Sequence, residues 1–130
     1  MRCLYYLLIC VMFFSCDNYV NYRDVTVVNH ICHYKKDMSL VTGKIKMRIN
    51  SKLEERRYHK GKLHGEFHRW CSNGQLETRC SFYKGLLHGA YERWHCNGQL
   101  KFTGNYDKGK RSGLFKSYDD KGIIQHIKRY

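Results

Sequence analysis

From Val41 onward the chain alternates short apolar–polar runs with glycine-centred turns. In Leu76-Glu77-Thr78-Arg79-Cys80-Ser81-Phe82, and again in Leu100-Lys101-Phe102-Thr103-Gly104-Asn105-Tyr106, apolar positions recur every second residue. That period is the mark of a strand with one buried face. Two kinds of turn separate the runs. Lys60-Gly61-Lys62, Lys84-Gly85-Leu86 and Lys108-Gly109-Lys110 form one kind. Asn73-Gly74 and Asn97-Gly98 form the other, with Lys121-Gly122 in the same place further on. The Asn-Gly pairs predict tight hairpins of primed type, which need positive φ at both central residues. The expected fold is all-β, an elongated antiparallel meander.

The runs and turns repeat. Lys52–Gln75, Leu76–Gln99 and Leu100–Ile123 align without a gap at a period of 24 residues. Gly61, Gly85 and Gly109 share one column; Gly65, Gly89 and Gly113 a second; Gly74, Gly98 and Gly122 a third. Three aromatic columns accompany them: Tyr58, Phe82 and Tyr106; Phe67, Tyr91 and Phe115; Trp70, Trp94 and Tyr118. A worn copy lies upstream, where Val41 to Arg48 matches the later copies with Gly43 in the Gly65 column, and two residues are lost near Asn50-Ser51. The array therefore has about 3.5 copies over residues 41–130. Phe67 to Trp70 is an odd step, so those rings cannot share one face of a regular strand. A bulge, or use of both sheet faces, is required. Each copy is expected to pack only on its neighbours, as in other repeat arrays.

The first residues are unlike the rest. Arg2 precedes a run of 12 uncharged residues, Cys3 to Phe14, and polar residues begin directly after Cys16. A run of this length suits the apolar region of a signal peptide and is too short for a spanning helix of about 20 residues. Phe13-Phe14-Ser15-Cys16 is similar to the end of a bacterial lipoprotein signal, where a small residue precedes the cysteine that takes lipid. The chain thus divides into a leader at 1–16, a linker or N-terminal cap at 17–40 around Val25-Thr26-Val27-Val28, and the array at 41–130. The expected address is exported and lipid-anchored to a membrane through Cys16. Secretion after cleavage without lipid, or a cytoplasmic chain that keeps its leader, are the alternatives.

Tyr58-x-x-Gly61-Lys62-Leu63-His64-Gly65, followed by Trp70-x-x-Asn73-Gly74-Gln75-Leu76, resembles the MORN-repeat variant of the so-called YwqK-type antitoxin proteins. The likeness covers roughly residues 41–130 and is closest in the two central copies; the last departs with Ser112 and Lys121. The resemblance implies a β-hairpin repeat sheet with a non-catalytic binding or scaffolding role. Many bacterial members of that family look like exported lipoproteins, and similar arrays occur in large DNA viruses. A cytosolic antitoxin-like inhibitor of a partner protein and a viral repeat protein are the other roles the likeness offers.

Composition adds less. Hydrophobic residues at 42% and aromatics at 15% exclude a disordered chain, and 130 residues leave room for one domain. The formal net charge of +13 favours anionic partners. From Lys44 onward 20 Lys and Arg face 8 acids, interleaved with aromatics. Such a pattern serves single-stranded nucleic acid, but an exported protein rarely meets it, so an anionic lipid surface or a protein partner is expected instead. Cofactors and small-molecule substrates are not expected. His64 and His88 precede Gly in one repeat column, where Ser112 stands in the third copy, and so read as turn or packing residues. Glu54, Glu55, Glu66, Glu77 and Glu92 form no repeated carboxylate pair suited to acid–base work. His68, Cys71, His95 and Cys96 carry zinc-ligand chemistry, but lack Cys-x-x-Cys spacing and agreement between copies. An enzyme or metal protein is not expected. Cys32, Cys71, Cys80 and Cys96 suit one or two disulfides in an oxidising compartment, or separate thiols on strands.

If Cys16 is acylated, the protein made with its own leader enters the detergent phase with a diacyl or triacyl mass, and Cys16→Ala stays aqueous. A water-soluble parent starting at Met1 overturns the export reading.

Overall fold

The computed structural model describes residues 19–130, so the leader and Cys16 lie outside the described residues. Eleven strands make up about two-thirds of it: β1 (Tyr19–Val20), β2 (Val25–Val28), β3 (Ile31–Tyr34), β4 (Gly43–Ile49), β5 (Lys52–His59), β6 (Lys62–Trp70), β7 (Leu76–Tyr83), β8 (Leu86–Trp94), β9 (Leu100–Asp107), β10 (Lys110–Tyr118) and β11 (Ile124–Arg129). β4 to β11 pair consecutively and antiparallel, each with the next, which is the all-β meander that the alternation predicts. β1 adds a parallel edge beside β4. β2 and β3 form a separate hairpin, so residues 25–34, left open as linker or cap, are ordered strands. At about 4.8 Å per strand, the nine-stranded sheet measures about 40 Å across.

The Lys-Gly turns, not the Asn-Gly loops, are the two-residue primed hairpins. Lys60, Lys84 and Lys108 have φ of 47°, 50° and 47°, and each is followed by a glycine with positive φ. A lysine in this region is strained by about 1–2 kcal/mol. Repeated contacts between copies offset that cost. The Gly61, Gly85 and Gly109 amides donate to the carbonyls of Val41, Leu63 and Leu87, all at 2.7 Å. The expectation for Asn73-Gly74 and Asn97-Gly98 is corrected: only the glycines are left-handed, at 86° and 90°. These are five-residue loops, in which the Gly74 amide donates to the Cys71 carbonyl and the Cys71 amide to the Gln75 carbonyl. The asparagine is used otherwise. Asn73 Oδ1 accepts from the Gln75 amide, and its Nδ2 donates to the Cys96 carbonyl of the next loop at 2.9 Å. Asn97 repeats both bonds, reaching Asp120. Upstream, Asn50 and Ser51, both at positive φ, close a two-residue turn where the sequence is shortened.

Use of both sheet faces accommodates the odd step between the ring columns, and the bulges lie beside it. Register shifts fall at Arg69/Trp70, Arg93/Trp94 and Ser117/Tyr118. Three more lie opposite or beside the Gly65, Gly89 and Gly113 column. Phe67 and Trp70 then serve different faces. Phe67, Cys80, Tyr91 and Gly104 stand in direct cross-strand register on one face, while Trp70 meets His68 and Trp94 lies under Arg79 on the other. The first face alternates ring with small residue. A Cβ on Gly104 would overlap the Phe115 ring, so the glycine lets that ring lie on the backbone. Rings meet edge-on down this face, Phe67 with Phe82, Tyr91 with Tyr106, and Tyr106 with Phe115. Such pairs contribute roughly 0.5–1.5 kcal/mol each beyond their burial.

Among the described residues a layered core lies at the N-terminal end, where the β2–β3 hairpin places Cys32 against Val41, Ile45 and Tyr58. Elsewhere one sheet carries itself, and a cross-link assists it. Cys71 and Cys96 are joined by a disulfide between consecutive loops. Closing a loop of 25 residues contributes about 3–4 kcal/mol in the chain-entropy account.

Gly89 tests the repeated bulge. Its φ is +93°, and an added Cβ meets nothing within 4 Å, so Gly89→Val adds strain without a clash. Its expected cost is about 1–3 kcal/mol by chemical denaturation, and an unchanged midpoint counts against the argument.

Candidate functional site: a cationic rim

In a meander all odd turns project from one edge of the sheet and all even turns from the other. Here the two rims differ in charge. The Lys-Gly rim carries Lys60, Lys62, Lys84, Lys108 and Lys110, all exposed, and among the described residues none of these ammonium groups lies within ion-pair distance of a carboxylate. The opposite rim carries Ser72, Asn73, Cys96, Asn97, Asp119, Asp120 and Lys121. There the Asp119 carboxylate is held below its usual range, chiefly by the Ile123 amide and further by the Lys121 amide and Gln125.

At the N-terminal end of the basic rim the sheet opens into a cavity of about 680 Å³, lined by Lys44, Arg57, Lys60, Lys62 and Lys84, with no acidic residue in its wall. One side is a ladder of rings: His59 on His64 at 5.6 Å, His64 on Tyr83 at 5.2 Å, and Tyr83 on His88 at 6.0 Å. Lys44 is shared with Glu55 at 3.9 Å.

The column that contains His64 and His88 has a structural job. At two of its positions the side chain before the glycine accepts a hydrogen bond from the lysine amide of the next copy's primed turn. Thr42 Oγ1 accepts from the Lys60 amide at 2.9 Å, and His88 Nδ1 from the Lys108 amide at 3.4 Å. Thr42 is thus the histidine of the worn copy, an equivalence that aligning Gly43 with Gly65 reveals once the column is extended.

The acids are engaged with bases and are not gathered. Glu54, almost fully buried, accepts from Arg56 at 2.6 Å and from Arg69 at 2.7 Å. Glu77 accepts from Lys52 at 2.8 Å, and Glu92 accepts from Arg79 at 2.8 Å. Of the residues with zinc-ligand chemistry, Cys71 and Cys96 bond to each other, which removes both thiolates. Cys32 and Cys80 are buried free thiols; burial pushes the Cys80 thiol up to about 12, so it remains protonated at neutral pH. Tyr58 lies in the core, Phe67, Phe82, Tyr91, Tyr106 and Phe115 on the ring face, and Trp70 and Trp94 on the other. The rim lysines carry the site, and sequence reading passed over them as turn markers. Their period of 24, combined with the rule that alternate turns share an edge, is the signal that finds them.

No family model matches the chain, and no curated protein is similar to it in sequence.

Replacing His88 by Ala is expected to lower stability by about 0.5–1.5 kcal/mol, the worth of one hydrogen bond. His88→Ser, which keeps an acceptor as Ser112 does, recovers part of the loss. Denaturation midpoints identical in all three proteins would remove the structural role.

Proposed function

We propose that this chain is a non-catalytic binding protein of the MORN-variant type, exported and lipid-anchored at Cys16, that lies with its Lys-Gly rim against an anionic membrane surface. The observation that carries the reading is the row of five lysines on one edge of the sheet, without carboxylate partners among the described residues. Successive turns on that edge are two strands apart, about 10 Å, which is close to the Debye length of about 8 Å at physiological salt. Each turn therefore meets an anionic surface nearly independently of the next. Near such a surface each lysine contributes on the order of 1 kcal/mol, so several together give useful binding where one gives none. A rim contact also complements a lipid anchor, since stable attachment takes two signals when acylation is light.

The Cys71–Cys96 bond supports the exported address, because disulfides persist in oxidising compartments. No helix among the described residues is long and apolar enough to cross a membrane. The ring face and the loops of the opposite rim are left to meet a protein partner.

Co-sedimentation with phosphatidylserine-containing vesicles tests the rim. Lys84→Gln/Lys108→Gln/Lys110→Gln is expected to weaken binding roughly a hundredfold at low salt, from three contributions of about 1 kcal/mol. Lys121→Gln on the opposite rim leaves it unchanged. Equal binding of the parent protein to neutral and anionic vesicles sinks the proposal.

A further inference from the structure

We infer that the cavity at the N-terminal end of the basic rim is a discrete site for one compact polyanion bearing two or more phosphate groups. The inference rests on the reading that this rim meets anions, and narrows it from a diffuse surface to a single ligand.

The cavity's size, about 680 Å³, falls within the roughly 300–1,000 Å³ range of small-ligand sites. Five cations converge on it, and its wall contains no acid. Among the described residues Arg57, Lys60, Lys62 and Lys84 have no carboxylate within ion-pair distance. Their mutual repulsion is a standing cost that a multiply charged anion relieves and a single carboxylate does not. The guanidinium adds a flat two-donor fork that matches phosphate oxygens.

The backbone that carries Lys60 and Lys84, and the stem of Arg57, are also held in place. Lys60 and Lys84 occupy the strained position of primed turns, with φ of 47° and 50°. Those turns are pinned by the bonds from Gly61 to Val41 and from Gly85 to Leu63, and the Lys60 amide is bound by Thr42. The stem of Arg57 lies over Gly65, where a Cβ would come within 2.9 Å of its Cδ; the missing side chain leaves the space the arginine uses. The rings of His59 and His64, tilted against each other at 5.6 Å, line one side in place of competing acids. Preorganised donors lose less freedom on binding than mobile surface lysines do.

Calorimetric titration of the full chain at physiological salt with tripolyphosphate, and separately with inositol hexakisphosphate, tests the site. One ligand per chain is expected, with affinity at least tenfold weaker in Arg57→Gln/Lys60→Gln and partly restored in Arg57→Lys. Lys108→Gln/Lys110→Gln, the same charge change further along the rim, is expected to alter it less than twofold. Thermal midpoints of all variants report whether they fold. Absence of saturable binding, or equal losses in both double variants, overturns the discrete site.

Vesicles separate the sources of the phosphate. Preference for phosphatidylinositol bisphosphate over phosphatidylserine at matched charge supports the site with a lipid headgroup as ligand. Equal binding to the two lipids, alongside stoichiometric titration by inositol hexakisphosphate, supports it with a soluble polyanion. Titration without any vesicle binding leaves the site standing and removes the membrane-surface reading. Vesicle binding without titration does the reverse.

Discussion

The amide of each primed-turn glycine reaches back to a carbonyl of the preceding copy, and the sheet depends on that bond. A single layer cannot bury both its faces, so each repeat must be fixed by its neighbour rather than by a core. The bonds from Gly61 to Val41, Gly85 to Leu63 and Gly109 to Leu87 do this at equal length in three successive places. They hold a lysine in a left-handed conformation that the residue alone disfavours. The lysine amide is then bound by Thr42 or His88. The same contact that joins the copies thus sets where the rim charges stand.

Two further devices follow the same logic. On one face, rings on alternate strands lean across small residues, and Phe115 over Gly104 is the closest approach. On the loop side, Asn73 and Asn97 pass a hydrogen bond from copy to copy, and the Cys71–Cys96 bond makes one of those steps covalent. Stability in such an array is close to a sum of neighbour terms, so each interface needs its own fastening. The N-terminal end differs: the β2–β3 hairpin supplies a second layer, and there the buried residues gather.

Charge is distributed by topology. Lysines fall on one edge because every Lys-Gly turn reverses the chain at the same side of the meander, while the longer loops with Asp119 and Asp120 reverse it at the other. The buried Glu54 with its two arginines, and the pairing of Glu77 and Glu92, use acids within the sheet. That leaves the rim lysines without carboxylate partners among the described residues. An electrostatic face results from where turns fall in the repeat, with no enrichment of lysine in any one segment.

The sequence alone carried the period, the strands of the array, and the choice between a bulge and both sheet faces for Phe67 and Trp70, because alternation and glycine columns are local and survive in one dimension. It also marked His88 as a residue of the repeat, and there the side chain accepts from the Lys108 amide of the next turn. Three matters were decided only by the tertiary structure. Asn-Gly looks like the primed turn in isolation, yet the loop between copies gives the asparagine amide a carbonyl on the next copy, and the primed geometry falls to Lys-Gly. Four cysteines allow several pairings, and only the stacking of adjacent loops brings Cys71 to Cys96 while burying Cys32 and Cys80. The joining of Arg57, Lys60, Lys62 and Lys84 around one cavity was likewise hidden, because they sit on different strands and turns, and only lateral pairing of those strands sets them side by side.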